Sequence, residues 1–151
     1  MTDEAAFRVG LRVCDVAEAA MFYKGLGFTE IGAIPGPDGR PVMAILRRGD
    51  LQLLADALVG MPFPDTDRER QTKVGPRGLG VVIAIEVEDV DAITEYCRTS
   101  GCAITTEPTD APWGERYVEC VDPYEYAWKF YQFLPDPPQD SLNAAHDSWF
   151  T

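Results

Sequence analysis

One histidine, His146, serves the whole chain of 151 residues. It lies near the C-terminus, where a lone imidazole reads as surface or packing rather than as a metal ligand. Basic residues are scarce too: 13 Lys and Arg face 25 Asp and Glu, for a net charge of -12. Nucleic acid and anionic membranes both require basic patches, so neither is an expected partner. The same field steers cations inward, although a high net charge also serves plain solubility. The four cysteines, Cys14, Cys97, Cys102 and Cys120, have no CxxC spacing. A chain of this length does not depend on disulfide staples, so they read as reduced, mostly buried small hydrophobes. No apolar run approaches the roughly 20 residues of a membrane span. The acidic N-terminus (Asp3, Glu4) carries no basic segment followed by an apolar one, and the expectation is a cytoplasmic protein.

What the chain does contain is a repeat. Val9-Gly10-Leu11-Arg12-Val13-Cys14-Asp15-Val16 is matched by Ile83-Ala84-Ile85-Glu86-Val87-Glu88-Asp89-Val90. Leu11 pairs with Ile85, Val13 with Val87, Asp15 with Asp89, Val16 with Val90 and Gly27 with Gly101, each 74 residues apart. A fixed offset marks two copies of one supersecondary unit, each needing the other to bury its apolar face. The expected product is one pseudo-symmetric α+β domain over residues 1–135, with a cleft at the seam.

Each copy reads as βαβββ. In the first, residues 7–13 alternate as a strand, Asp15 caps a helix over Ala17 to Leu26, and strands follow over 28–35, 41–47 and 51–55. In the second, a strand over 81–87 leads to a helix capped by Asp89 and stopped at Gly101, then strands over 103–106, 115–121 and 126–133. Module one spans about 7–58 and module two about 80–134. Residues 59–79, with Pro62, Pro64, Gly75 and Pro76, read as a long connecting loop, functional or mobile. In the tail, 136–151, a short helix capped by Asp140 or Ser141 carries Leu142, Ala145, His146 and Trp149 as one stripe, which must cover the sheet or a partner.

The duplication, with Val13-Cys14-Asp15, Phe22-Tyr23, Leu26-Gly27-Phe28 and Asp122-Pro123 in order, resembles the vicinal oxygen chelate superfamily. That group includes glyoxalase I, ring-cleaving dioxygenases and bleomycin resistance proteins. The resemblance covers roughly residues 7–133 and implies paired βαβββ modules curling around a cleft, in a homodimer (the glyoxalase/bleomycin resistance fold). It also implies four metal-ligand positions on first and last strands, which here hold Arg8, Leu54, Val82 and Lys129. Metal ligands offer lone pairs from imidazole, thiolate or carboxylate; two cations and two hydrocarbons do not. The expectation is therefore no metal and no cofactor, and a likeness to the bleomycin resistance branch, whose members bind a drug without altering it.

That branch shares a segment matched by Pro112-Trp113-Gly114-Glu115-Arg116 through Asp122-Pro123, and the resemblance places Trp113 beside the cleft. A rigid indole on a Pro-Gly turn gives large stacking area at little entropic cost, or else caps the barrel end. Tyr131 shares a strand face with Lys129, while Trp128 and Phe130 point under the helices. Phe63 sits in the connector, where a lid would lie. Arg8 and Lys129 either anchor an anionic group of a ligand or pair with Glu86, Glu119 or Asp56. The leading expectation is a dimeric protein that sequesters an aromatic, cationic antibiotic or natural product, with Trp113, Tyr131, Phe63, Arg8, Lys129, Tyr117, Leu54 and Val82 lining the site. The alternative is a metal-independent isomerase, epimerase or cyclase, for which Glu119 and Tyr117 are the acid-base candidates. A third reading is an interaction domain whose tail helix docks a partner.

Overall fold

The computed structural model describes residues 7–136 and 140–150; residues 1–6, 137–139 and 151, which include Asp3, Glu4 and the Pro137-Pro138 step, lie outside that description. The chain divides after Arg77 into two compact units, each built on one four-stranded sheet.

Unit one contains β1 (Phe7–Val13), α1 (Val16–Gly25), β2 (Thr29–Pro35), β3 (Pro41–Arg48), β4 (Leu51–Ala57) and α2 (Thr66–Val74). Its strand order is β1-β4-β3-β2, with β1 parallel to β4 and the other pairs antiparallel. Unit two contains β5 (Val82–Glu86), α3 (Val90–Thr99), β6 (Ala103–Asp110), β7 (Glu115–Val121), β8 (Ala127–Phe133) and α4 (Ser141–Phe150), with order β5-β8-β7-β6. Both units are thus βαβββ. The caps work alike: Asp15 accepts from the Glu18 amide at 3.0 Å and Asp89 from the Ala92 amide at 3.1 Å. Gly27 and Gly101 end the two helical segments at φ 98 and 90, a conformation that favours glycine.

The 74-residue offset holds from helix to third strand and then slips. Leu54 pairs with Gly10 and Ile45, while Lys129 pairs with Ala84 and Glu119, so the counterpart of Lys129 is Leu54, 75 residues away. The extra residue sits in the β7–β8 hairpin, where Glu125 adopts φ 80. Asp122 holds this hairpin. Its Oδ1 accepts from the amides of Tyr124 (2.8 Å) and Tyr126 (3.0 Å), and its Oδ2 accepts from Trp128 Nε1 (2.8 Å).

Helix α1 packs on β2, β3 and β4, and α3 on β6, β7 and β8. Period-two alternation sends Leu11, Val13, Leu46 and Leu53 inward in unit one and Ile83, Ile85, Val118, Trp128 and Phe130 inward in unit two. Trp128 and Phe130 stack at 5.8 Å under the helix, as the alternation predicts. The opposite face of each sheet is partly open.

Three differences from the sequence pattern exceed a single residue. Strand β4 runs on to Ala57 and β6 to Asp110. The connector read as a loop contains helix α2, in which Asp65 accepts from the amides of Asp67 and Arg68 and Lys73 pairs with Glu69 at 2.7 Å. None of its residues is buried, so it carries no apolar period for a pattern reading to detect. Among the described residues, no helix is long and apolar enough to cross a membrane.

Candidate functional site

On the open face of unit two, Lys129 and Tyr131 project from β8 beside Tyr117 and Glu119 of β7. The β6–β7 turn closes on itself: Ala111 N–H donates to the Glu115 carbonyl at 2.7 Å and Gly114 N–H to the Ala111 carbonyl at 3.1 Å. Gly114 takes φ 100, which glycine adopts without strain. This turn presents Trp113, whose ring stacks on Tyr117 with centroids 6.0 Å apart and planes at 23°. Trp113 Nε1 donates to Glu115 Oε1 at 2.9 Å, and Lys129 Nζ donates to the same oxygen at 2.9 Å. The ammonium lies 4.7 Å from the Tyr117 ring centroid and 5.8 Å from that of Trp113, within cation–π range. Partial burial pushes the Glu115 carboxyl up, but hydrogen bonds from Lys129 and Trp113 and the Lys129 charge outweigh it and hold it below the ordinary range. Trp149 of α4 meets Trp113 edge-on at 5.1 Å, so one residue of the tail stripe rests on this cluster, while Leu142 stays 83% exposed. Tyr131 contacts Phe133 edge-on at 5.7 Å, and His146 is exposed beside Asp147.

The ion-pair partner of Lys129 is therefore Glu115, not Glu86, Glu119 or Asp56. Glu119 stands directly opposite Lys129 but accepts from Thr106 Oγ1 at 3.1 Å instead. The two acid-base candidates serve different contacts, Glu119 with Thr106 and Tyr117 with Trp113. Arg116, in the same matched segment, ties Asp110 (2.9 Å) to Asp91 (2.8 Å) in the first turn of α3.

The open face of unit one carries Arg8, Leu54, Arg12 and Asp56. Arg8 is exposed and forms no ion pair among the described residues. Arg12, which no motif marks as a site residue, donates to the carbonyls of Ala57 (2.9 Å), Met61 (2.9 Å) and Pro62 (2.5 Å). Its guanidinium lies 3.7 Å from the centroid of Phe63. Phe63 is thus held against β1 by a cation, which fixes the start of the connector. Asp56 pairs in register with Arg12, and its Oδ1 is buried with no hydrogen-bond partner among the described residues. Burial raises the Asp56 pKa, and the Arg12 charge only partly offsets it.

The four positions at which the resemblance puts metal ligands resolve into two equivalent pairs, Arg8 with Val82 and Leu54 with Lys129. Val82 is 54% exposed and Leu54 half-buried. A guanidinium, an ammonium already committed to Glu115 and two hydrocarbons present no lone pair, so this donor set does not fit a divalent ion.

Two further features lie away from both faces. A cavity of about 420 Å³ beside the start of α1 is lined by Asp15, Asp38, Arg40 and Ala57 and includes none of the predicted site residues. In unit two, the thiols of Cys97, Cys102 and Cys120 converge, with all three sulfurs within 4.8 Å of one another. Hydrogen bonds from Cys102 and Cys120 outweigh burial and push the Cys97 thiol down. Their spacing in the sequence matches no short motif, and by pattern alone they read as separate hydrophobes.

Residues 6–130 match the family described as the Glyoxalase/Bleomycin resistance protein/Dioxygenase superfamily. An uncharacterised protein of Mycobacterium bovis is 33% identical over 147 residues, covering 96% of this chain and 94% of that protein. The crystal structure of a glyoxalase/bleomycin resistance protein/dioxygenase family enzyme from Burkholderia phytofirmans PsJN superposes with a TM-score of 0.66 at 16% identity, over 87% of this chain and 99% of that one. TioX from Micromonospora sp. ML1 gives 0.63 at 22% identity, over 85% and 98%. At those identities the two structures speak for the fold. With the repeated βαβββ architecture and a family match over most of its length, the chain belongs to the glyoxalase/bleomycin resistance protein/dioxygenase superfamily.

Proposed function

We propose that the protein is a metal-independent binder that sequesters a flat aromatic, cationic small molecule of the antibiotic or natural-product class, in the manner of bleomycin resistance proteins. The observation that carries this reading is the stacked Trp113–Tyr117 pair on the open face of unit two, next to an ammonium where the family's metal ligand would stand. Two aromatic faces supply stacking area, and the Lys129–Glu115 pair leaves that spot near neutral, so a cationic ligand is drawn by the overall charge of -12. Tyr131 extends the same face; Arg8, Leu54 and Val82 occupy the corresponding strand positions, and Phe63 stays an anchor of the connector rather than a lid. The working form in this reading is a cytoplasmic homodimer with the ligand cleft at the dimer seam.

A second reading, a metal-independent isomerase, epimerase or cyclase, is favoured by Asp56 alone. A carboxyl with a raised pKa and an unpartnered buried oxygen is a proton carrier in waiting. Incubation with a panel of aromatic antibiotics, followed by recovery and mass and chiral analysis, separates the two. Ligand retained and recovered unchanged supports sequestration; altered mass or stereochemistry overturns it.

A further inference from the structure

We propose that Cys97, Cys102 and Cys120 form a three-coordinate sulfur site for a soft metal ion, copper(I), in the core of unit two. The three thiols arrive from separate places in the chain: the last turn of α3, the turn residue just before β6, and β7. The Cys102 N–H donates to the Cys97 carbonyl at 3.0 Å, so the tight turn through Gly101 brings these two together. Cys120 reaches them from the helix-covered face of the sheet, directly opposite Ile104 in the β6–β7 ladder. Three ligands around a metal–sulfur bond of about 2.3 Å stand about 4.0 Å apart in a trigonal plane. The observed spread of up to 4.8 Å needs only a small contraction to reach that geometry.

Packing does not demand cysteine here. At the 74-residue offset the positions of Cys97, Cys102 and Cys120 correspond to Tyr23, Phe28 and Leu46, all buried in the core of unit one. The same fold position is filled by bulky side chains in one unit and by three converging thiols in the other. Soft sulfur ligands select copper(I), and the trio includes no histidine or carboxylate to complete the tetrahedron of a structural zinc site. Cys97 and Cys120 are 1% exposed and Cys102 half-buried, so Cys102 gives the ion its route in. This site is separate from the Trp113 face and does not depend on what that face binds.

The test is an anaerobic titration of the full-length reduced protein with copper(I) against a chromophoric copper(I) chelator, with X-ray absorption on the loaded protein. The expected result is one ion per chain, a shell of three sulfurs, binding unchanged in Cys14→Ser and lost to the chelator in Cys102→Ser. Cys102 is partly exposed, so that variant is expected to fold, and circular dichroism checks it. The sulfur count is read on the wild type and needs no variant. No retention against the chelator, a shell of two sulfurs, dependence on Cys14, or zinc held with an added oxygen or nitrogen ligand would each overturn the proposal.

Discussion

Lys129 Nζ donates to Glu115 Oε1 at 2.9 Å, across the β7–β8 ladder, and the same oxygen receives the indole N–H of Trp113. One carboxylate therefore neutralises the cation and orients the ring. Folding lowers the Glu115 pKa. Its contribution is fully present above the unfolded-state value of about 4.3 and is lost as pH falls through the lower folded value. Thermal melts of wild type and Glu115→Gln should differ most near neutrality and converge at pH values well below 4.3. A gap independent of pH would contradict the assignment.

Asp56 carries the opposite sign. Its folded pKa is raised, so the protonated form is favoured and stability is lost as pH rises from the unfolded value of about 3.9 through the folded one. Asp56→Asn mimics the protonated group. Its melting temperature relative to wild type should climb as pH rises from acid to neutral and then level off. A difference that falls over that interval would show that the pairing with Arg12 dominates instead.

Asp122 closes its hairpin by accepting from the Tyr124 and Tyr126 amides and the Trp128 indole N–H while only 4% exposed. Alanine there orphans two amides and an indole N–H, and each buried orphan costs about 1–3 kcal/mol. Urea unfolding of Asp122→Ala should show a loss of about 3 kcal/mol or more, or no soluble protein. Asp122→Asn keeps acceptor geometry for the amides but turns a donor toward Trp128, and should lose less. Equal losses in the two variants would contradict this account.

Arg12 fastens the connector to the end of β4 through the carbonyls of Met61 and Pro62, with Ala57, and through the Phe63 ring. In Arg12→Ala, limited proteolysis should cut between Leu58 and Asp65 at least several-fold faster than in wild type, with cleavage elsewhere unchanged. Unchanged kinetics would show that α2 holds the segment without it.

The units were legible in the sequence because both depend on period and punctuation. Asp15 and Asp89 cap, Gly27 and Gly101 stop, and alternation sends Trp128 inward and Lys129 outward. Helix α2 was illegible because it is polar throughout and rests on the Asp65 cap and the Glu69–Lys73 pair. Tertiary partners were harder still. Strand register places Glu119 opposite Lys129, yet the ammonium reaches Glu115, because the Trp113 turn brings a second donor to that carboxylate. The role of Arg12 is not legible in the sequence, since it bonds to backbone carbonyls, which leave no mark in side-chain identity. The cysteine trio joins residues from a helix, a turn and a strand, which no linear spacing announces.

Under the proposed function, Trp113 would be the ligand-stacking surface of a binder that works without metal. The most direct measurement is intrinsic tryptophan fluorescence of the metal-stripped protein, titrated with aromatic cationic antibiotics, in wild type and Trp113→Ala. The account predicts saturable quenching in the wild type, unaltered by added divalent ions, and loss of that saturable phase in the variant although Trp128 and Trp149 remain. Quenching that survives the substitution, or that appears only after a divalent ion is restored, would contradict it.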